Sequence, residues 1–257
     1  MKWVQVVAAY ICNIKEYKPK RDIIELSKVI NQKEELKSTE LLNLVQDKLL
    51  SIQKSSNSER TQDEYLEDYL SMKEKLYAGD ITANNTIKTG LYELDAAIHG
   101  FSSAELITIF AFSAVGKSTV AAQMALNIAR QKKKIMFFSL EMTYLQVMDR
   151  FVSNVTGIDH EKIKYLNKNK ITEEQLLNVA TTAVSINDYI SIYDTRYLND
   201  IISNIQIKKL QNEVDIVFID YISLIDGVRA NDERMRITLI TQKLKALANT
   251  LNIPVVI

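Results

Sequence analysis

Short apolar runs alternate with helical segments from residue 81 onward, and this alternation limits the fold more than any other feature of the chain. The runs, rich in Ile, Val and Phe, are Glu105–Ala111, Lys134–Leu140, Tyr189–Asp194, Val214–Asp220 and Ile253–Ile257. The segments between them with helical spacing are Thr119–Gln131, Leu145–Thr156, Glu173–Val184, Asn199–Gln211 and Glu233–Leu251. Continuous apolar strands that alternate with helices indicate a mainly parallel sheet with helices on both faces. The sequence therefore predicts an α/β fold, in which ligands bind at the carboxyl ends of the strands.

The first 80 residues contain no glycine before Gly79 and a single proline, Pro19. A stretch so poor in helix breakers is typical of helices. We therefore divide the chain into an all-α segment, residues 1–80, and an α/β domain, residues 81–257. A capping-box pattern, T-x-x-E, opens a predicted helix over residues 61–77.

Charge and cysteine content exclude several classes of protein. The 32 basic residues balance 32 acidic ones, which argues against a tail-type nucleic-acid binder but is compatible with DNA held in an assembled pore. A single cysteine excludes cysteine-based zinc sites and intrachain disulfides, and makes a reducing intracellular setting the default. No apolar run reaches the ~20 residues that a membrane span needs. The N-terminus is better interpreted as an amphipathic helix than as a signal peptide, because polar residues interrupt it and no cleavage pattern follows.

The segment AFSAVGKST, residues 111–119, carries the strongest chemical signal. It follows a predicted strand and opens a predicted helix, as a phosphate-binding loop does. In such a loop backbone N–H groups surround the phosphates, Lys117 reaches the terminal phosphates and Ser118 binds Mg²⁺. Ala111 stands where the general pattern has glycine, so a chance match at an ordinary strand-to-helix turn is the alternative.

Two carboxylates follow predicted strands on the ligand side of the sheet. Asp220 ends the run V-F-I-D, which we expect to lie beside the phosphate-loop strand, where it can orient a Mg²⁺-bound water. Glu141, in F-S-L-E-M, follows another strand, where a carboxylate can polarise the water that attacks a γ-phosphate. The alternatives are an aspartate that caps a turn and a glutamate that complements a helix dipole.

In order and spacing, these segments resemble the motor domain of DnaB-type replicative helicases, members of the RecA-like ATPase group. The matching stretches, from about residue 86 to 257, are TGLYELDAAIHGF, AFSAVGKST, FSLEM, KITEEQL, IDYISLI and LKALANTLNIPVVI. The family tolerates alanine at the first phosphate-loop position, so Ala111 agrees with it. The resemblance implies an ATP-hydrolysing DNA helicase that uses ATP and Mg²⁺ and moves on single-stranded DNA as a hexameric homo-oligomer. It also implies primase and a helicase loader as partners, no membrane, and the cytoplasm of a bacterial or phage-infected cell, or an organelle stroma.

The same resemblance assigns roles to single residues. Lys117, Glu141 and Asp220 would be catalytic, with Glu141 as the base, while Ser118 and Asp220 would hold Mg²⁺. Arg150 would contact the nucleotide or couple it to DNA; a solvated helix arginine is the alternative. The other predicted nucleotide contacts form the loop, namely Ala111, Phe112, Ser113, Ala114, Val115, Gly116, Lys117, Ser118 and Thr119.

Residues 227–236 follow the Asp220 strand, and the resemblance places a DNA-facing loop there. Arg229, Arg234 and Arg236 would touch the backbone of a single strand, although two neighbouring carboxylates offset part of that charge. A solvated loop is the alternative. The helix over residues 61–77 resembles the linker that docks on the next subunit's motor, and a self-contained helical cap is its alternative.

The chain ends in V-V-I, inside a predicted strand that in the family leads to a sensor residue, a second DNA loop and an arginine finger. The family also has a globular helical domain ahead of the linker. We therefore expect a C-terminally incomplete motor that binds ATP but turns it over slowly. The alternative function is a nucleotide-binding protein that joins or blocks a helicase ring without unwinding. A recombinase-type or circadian-type RecA relative fits FSLEM and IDYISLI less well.

Overall fold

The computed structural model describes residues 61–80, 86–112, 115–167 and 169–257. The chain divides into two units between Ala83 and Asn84. The described part of the first unit is helix α1 (Gln62–Tyr77), which has no buried residue. The predicted capping box opens this helix: the Thr61 hydroxyl accepts the N–H of Glu64 at 3.3 Å, and the Glu64 carboxylate accepts the N–H of Thr61 at 2.9 Å.

The described part of the second unit contains a five-stranded parallel sheet with flanking helices, which confirms the predicted α/β, RecA-like class. The strands are β1 (Leu106–Ile107), β2 (Ile135–Ser139), β3 (Ile190–Tyr193), β4 (Ile216–Asp220) and β5 (Val255–Val256). Their spatial order is β1-β5-β4-β2-β3. Each strand lies inside one of the predicted apolar runs.

Strand β5 lies between β1 and β4, so the prediction that the Asp220 strand lies beside the phosphate-loop strand is wrong. Val255 of β5 pairs with Leu106 of β1 on one side and with Val217 of β4 on the other. A strand covered on both faces is apolar throughout, and its sequence carries no pattern that distinguishes one neighbour from another. Strand order therefore follows from the connections and not from the runs themselves.

Helices cover both faces of the sheet. Those described are α2 (Tyr92–Ile98), α3 (Lys117–Arg130), α4 (Tyr144–Thr156), α5 (His160–Lys164), α6 (Glu173–Asn187), α7 (Leu198–Leu210) and α8 (Glu233–Leu251), with a 3₁₀ turn over Ile222–Leu224. Helix α3 packs over β2 and β4, α4 lies beside α6, and α8 contacts α7, β1 and β5. The chain runs outward from β1 to β3 and returns through β4 to β5, so right-handed crossovers place α3 to α6 on one face and α7 and α8 on the other.

None of the described helices is both long enough and apolar enough to cross a membrane.

Aromatic side chains fix α4 against the sheet. Phe137 of β2 stacks on Phe218 of β4 with ring centroids 5.9 Å apart, and Phe151 of α4 meets Phe137 edge to face at 5.4 Å. All three rings are at most 3% exposed. Burial of such a side chain contributes about 1.5–3 kcal/mol. The packing holds the strand ends and the start of α4 in a fixed relation at the carboxyl edge.

Candidate functional site

The loop between β1 and α3 ends in an uncapped helix N-terminus. Gly116 is the N-cap of α3, with a φ of 101°, and no side chain bonds the first N–H groups of the helix. A Cβ at Gly116 would meet no atom within 4 Å, so the left-handed backbone, and not lack of space, favours glycine here. Free N–H groups and the positive end of the helix dipole together form an anion site.

The other predicted loop contacts are open to solvent where the structure describes them. Phe112 is 82% exposed and Val115 70% exposed, and Ala111 is half-buried. Ser113 and Ala114 lie outside the described residues.

Lys117 reaches the end of β4, although β5 separates that strand from β1. Its Nζ lies 4.4 Å from the ring centroid of Tyr221, the residue after Asp220. A cation–π contact contributes about 0.5–2 kcal/mol. It leaves the N–H donors of Lys117 able to bond phosphate oxygens.

The carboxyl ends of β4 and β2 lie side by side. Ser139 pairs with Asp220 in the sheet register, and the N–H of Leu140 donates to the carbonyl of Asp220 at 2.8 Å. Glu141 is the next residue and is exposed. Because the connections from β2 and β4 leave toward opposite faces, this is the switch point at which open α/β sheets bind ligands. The structure thus brings Lys117, Asp220 and Glu141 to one crevice.

Two side chains fix the backbone on either side of Glu141. The Ser139 hydroxyl donates to the carbonyl of Met142 at 3.0 Å and accepts the N–H of Met142 at 3.3 Å, which closes the turn. Arg196, just past β3, donates from Nε to the carbonyl of Leu140 at 2.9 Å. The sequence pattern did not single out Arg196; the available signal was a basic residue shortly after a predicted strand.

The donor set of the crevice suits a magnesium ion that arrives with its nucleotide. Among the described residues, no group of three or more His, Cys, Asp or Glu side chains could hold a metal by itself. Mg²⁺ is usually bound through one or two carboxylates together with substrate phosphates. Ser118, in the first turn of α3, and Asp220, at the end of β4, offer one hydroxyl and one carboxylate of this kind.

Arg150 lies on α4 and lines a cavity of about 340 Å³ beside α3, into which Thr119 also faces. Its side chain is exposed, and within the described ranges no hydrogen bond or ion pair occupies its guanidinium. The structure thus places this arginine beside the last residue of the phosphate loop with its donors free.

The three arginines of the predicted DNA loop have different surroundings. Arg229 and Arg234 are exposed, whereas Arg236 is half-buried on α8. Asp232 caps that helix, since its carboxylate accepts the N–H of Met235 at 2.7 Å. One of the two carboxylates expected to offset the loop's charge is therefore bound to a helix end.

Arg236 binds the protein itself. Its guanidinium donates to the carbonyls of Ser223 at 2.7 Å and Ile225 at 2.5 Å, and pairs with Glu233 at 2.6 Å. The hydrogen bond from Arg236 holds the pKa of the Glu233 carboxyl below its ordinary value. Arg236 thus ties the start of α8 to the 3₁₀ turn that follows β4, and its donors are already used.

A family model described as the DnaB-like helicase C terminal domain matches residues 86–257, the whole of the described second unit. The chain belongs to this helicase family. It is 32% identical over 174 residues to a probable plasmid replicative DNA helicase of Chlamydia muridarum, covering 66% of this chain and 38% of that protein. It is 28% identical over 261 residues to the replicative DNA helicase DnaB of Helicobacter pylori, covering 97% of this chain and 53% of that protein.

Solved structures give the same result for the DnaB-like fold. One of them, an isolated ATPase domain, superposes with a TM-score of 0.68 at 26% identity, covering 77% of this chain and 70% of that one. A DnaB-like replicative helicase, described together with its interactions with primase, superposes with a TM-score of 0.64 at 25% identity, covering 95% and 58%. The chain spans about half or less of the length of the two curated relatives described above.

The first matching stretch of the DnaB-like domain, TGLYELD, braces the phosphate helix from behind. The Asp95 carboxylate accepts the N–H groups of Thr89 at 2.8 Å and Gly90 at 2.9 Å. Asn127 of α3 donates from Nδ2 to the carbonyl of Thr89 at 3.3 Å. A Cβ on Gly90 would lie 2.5 Å from the Cβ of Asn127. Glycine is thus required where this turn meets α3.

Proposed function

We propose that the chain is the motor portion of a replicative DNA helicase that couples ATP hydrolysis to movement along single-stranded DNA and to duplex unwinding. One observation carries the proposal: Lys117 lies against Tyr221 at the end of β4, whose Asp220 bonds Leu140, the neighbour of Glu141. A phosphate-binding lysine, a carboxylate at a strand end and a candidate base thus meet at one crevice in a domain of this family.

The N-terminal end of α3 binds the phosphates in this proposal. Lys117 leaves the ring of Tyr221 and bonds the β- and γ-phosphate oxygens, and the free N–H groups of the helix surround the rest of the chain of phosphates. Ser118 and Asp220 hold Mg²⁺, which neutralises the charge that develops on the phosphates when it is bound.

Glu141 orients the attacking water and accepts its proton. Such general-base assistance contributes about 10²–10⁴ in rate. It requires the carboxylate to stay in place, and the bonds to Leu140 from Asp220 and Arg196 hold the backbone beside it.

DNA binding is distributed over several subunits. Arg229 and Arg234 are the exposed cations of the loop after β4, so each copy supplies one or two phosphate contacts. Useful affinity then needs several copies around one strand, as a hexameric ring provides. Primase is a proposed partner because a similar solved helicase is described with its interactions with primase.

Helix α1 supports self-assembly. Tyr65, Leu66, Tyr69 and Leu70 follow one another at helical spacing and are 50–60% exposed. An exposed apolar stripe on a helix favours docking on another protein surface. In the proposed ring that surface belongs to another copy of the chain.

Titration calorimetry with ATP and Mg²⁺ tests the nucleotide site. Lys117→Ala should weaken ATP binding by about 100-fold, because a charge-assisted bond to several phosphate oxygens is lost. Lys170→Ala, which removes an exposed lysine from the loop after α5, is the matched control and should bind as the parent does. Equal ATP affinity in the Lys117 variant and the parent would rule out the proposal.

A further inference from the structure

The cavity beside α3 has the size and lining of a ligand site. Its volume of about 340 Å³ falls within the roughly 300–1,000 Å³ usual for small-molecule pockets. The wall residues come from α3, α4 and the start of α5, and they are Thr119, Ala122, Arg150, Ser153, Asn154 and His160. One guanidinium, one imidazole and no carboxylate line it, which favours a polar or anionic ligand over a cation.

His160 leaves a hydrogen-bonding group unused. Across the described ranges, its Nε2 is the buried side-chain nitrogen or oxygen that has no hydrogen-bond partner. Buried polar groups in native proteins are almost always paired, so such an exception points to a missing partner. Neighbouring wall residues are already committed: the Ser153 hydroxyl donates to the carbonyl of Ile158 at 2.7 Å, and Asn154 donates to the Gln123 side chain at 2.9 Å.

The position of the cavity limits what the missing partner is. Thr119 is the last residue of the phosphate loop, and Ala122 lies three residues farther along α3. At 1.5 Å per residue the cavity extends about 3–8 Å from the helix N-terminus, along the side of the helix. With the triphosphate bound at that N-terminus, the nucleoside is the part of the ligand that extends past the phosphates into this space.

We propose that the cavity receives the base of the bound nucleotide, that His160 Nε2 forms a hydrogen bond to the base, and that Arg150 stacks on its ring. The inference rests on the proposed nucleotide site and adds the residues that contact the nucleoside. A neutral imidazole nitrogen donates in one tautomer and accepts in the other, so it can pair with a ring nitrogen or an amino group of a base. The planar guanidinium of Arg150 is free and suits the face of an aromatic ring.

The test compares ATP with ribose 5-triphosphate, which keeps the sugar and phosphates but has no base. In calorimetry with Mg²⁺, His160→Phe should weaken ATP binding about tenfold, because the hydrogen bond is lost while the ring shape is kept. Binding of ribose 5-triphosphate should not change. His160→Gln, whose amide can replace the lost donor or acceptor, should restore most of the ATP affinity. His99→Phe is the matched control, since it alters the other histidine of the chain, which is exposed.

The outcomes separate this inference from the proposed function. Unchanged ATP affinity in His160→Phe would overturn it, and so would an equal loss of ATP and ribose 5-triphosphate. If the phenylalanine variant fails to fold by circular dichroism, His160→Asn, too short to reach the base, takes its place with the same expectations. A Lys117→Ala variant that binds ATP normally would instead refute the nucleotide site as a whole.

Discussion

At the scale of single residues, Arg234 and Arg236 differ in what holds them. Arg236 bonds two backbone carbonyls and Glu233, whereas Arg234 is exposed. Arg236→Ala should therefore lower the free energy of unfolding by about 1–3 kcal/mol, because buried carbonyls lose their donors. Arg234→Ala should change it by less than about 0.5 kcal/mol. Urea denaturation measures both variants, and equal effects would contradict the assigned roles.

The pairing of Glu233 with Arg236 also predicts a pH dependence. The hydrogen bond from Arg236 lowers the pKa of Glu233 in the folded state from its ordinary value of 4.5. A carboxyl with a lowered folded pKa stabilises the protein above the unfolded pKa, and this contribution disappears as the pH falls through the folded pKa. The difference in stability between the parent and Glu233→Gln should therefore shrink as the pH is lowered from about 6 to about 3. A difference that stays constant over that range would mean that the pair does not stabilise the fold.

Residues that act through backbone or cavity contacts were beyond prediction from the sequence. Lys117, Asp220 and Glu141 could be chosen as candidates because each follows an apolar run in the linear sequence. Arg196 and His160 could not, since the groups that define them, a carbonyl of Leu140 and a cavity wall on another helix, are distant in sequence or have no side-chain signal.

At the scale of elements, the turn after β2 is the part on which hydrolysis depends. Arg196→Met removes the donor to the carbonyl of Leu140 and should reduce the rate of ATP turnover about tenfold, because the Glu141 carboxylate loses its fixed position. ATP affinity should not change. Glu141→Gln should lose about 10²–10⁴ in rate in the same single-turnover assay. A variant of Arg196 that loses affinity and keeps its rate would show a binding role and no effect on the base.

The brace behind α3 is a second element with a measurable cost. Gly90→Ala combines a left-handed backbone, φ 74°, with a Cβ 2.5 Å from that of Asn127. The control Gly157→Ala has a similar φ of 69° and no atom within 4 Å of the added Cβ. Both variants should lose about 1 kcal/mol of stability through the backbone, and Gly90→Ala should lose about 1–3 kcal/mol more from crowding. Equal losses in thermal unfolding would show that the turn moves away from α3 freely.

The strands and main helices were predictable element by element, but their arrangement was not. Each apolar run became a strand because it is buried on both faces, and capping signals such as those at Thr61 and Thr172 mark helix starts directly. The short helices α2 and α5 went unpredicted, because five to seven residues are too few to show helical periodicity. The insertion of β5 between β1 and β4 depends on long-range connections, which local patterns do not record.

At the scale of the whole molecule, the account joins a nucleotide site at one edge of the sheet to a DNA loop that leaves the same edge. Asp220 ends β4, and Arg229 lies nine residues farther along, after the 3₁₀ turn that Arg236 anchors. Because the nucleotide site and the loop share β4, a change at the phosphates can alter the loop over a short path. Coupling of this kind is reciprocal, so nucleotide should alter DNA affinity as much as DNA alters nucleotide affinity.

The most direct test of this central claim is the affinity for a fluorescently labelled oligothymidylate, measured by anisotropy with and without a slowly hydrolysed ATP analogue and Mg²⁺. The parent and Lys170→Ala should bind the strand about tenfold more tightly when the analogue is present, within the usual range for coupled sites. Lys117→Ala should bind the strand equally weakly in both conditions. Strand affinity in the parent that does not respond to the analogue would contradict the assignment of the chain as a nucleotide-driven DNA motor.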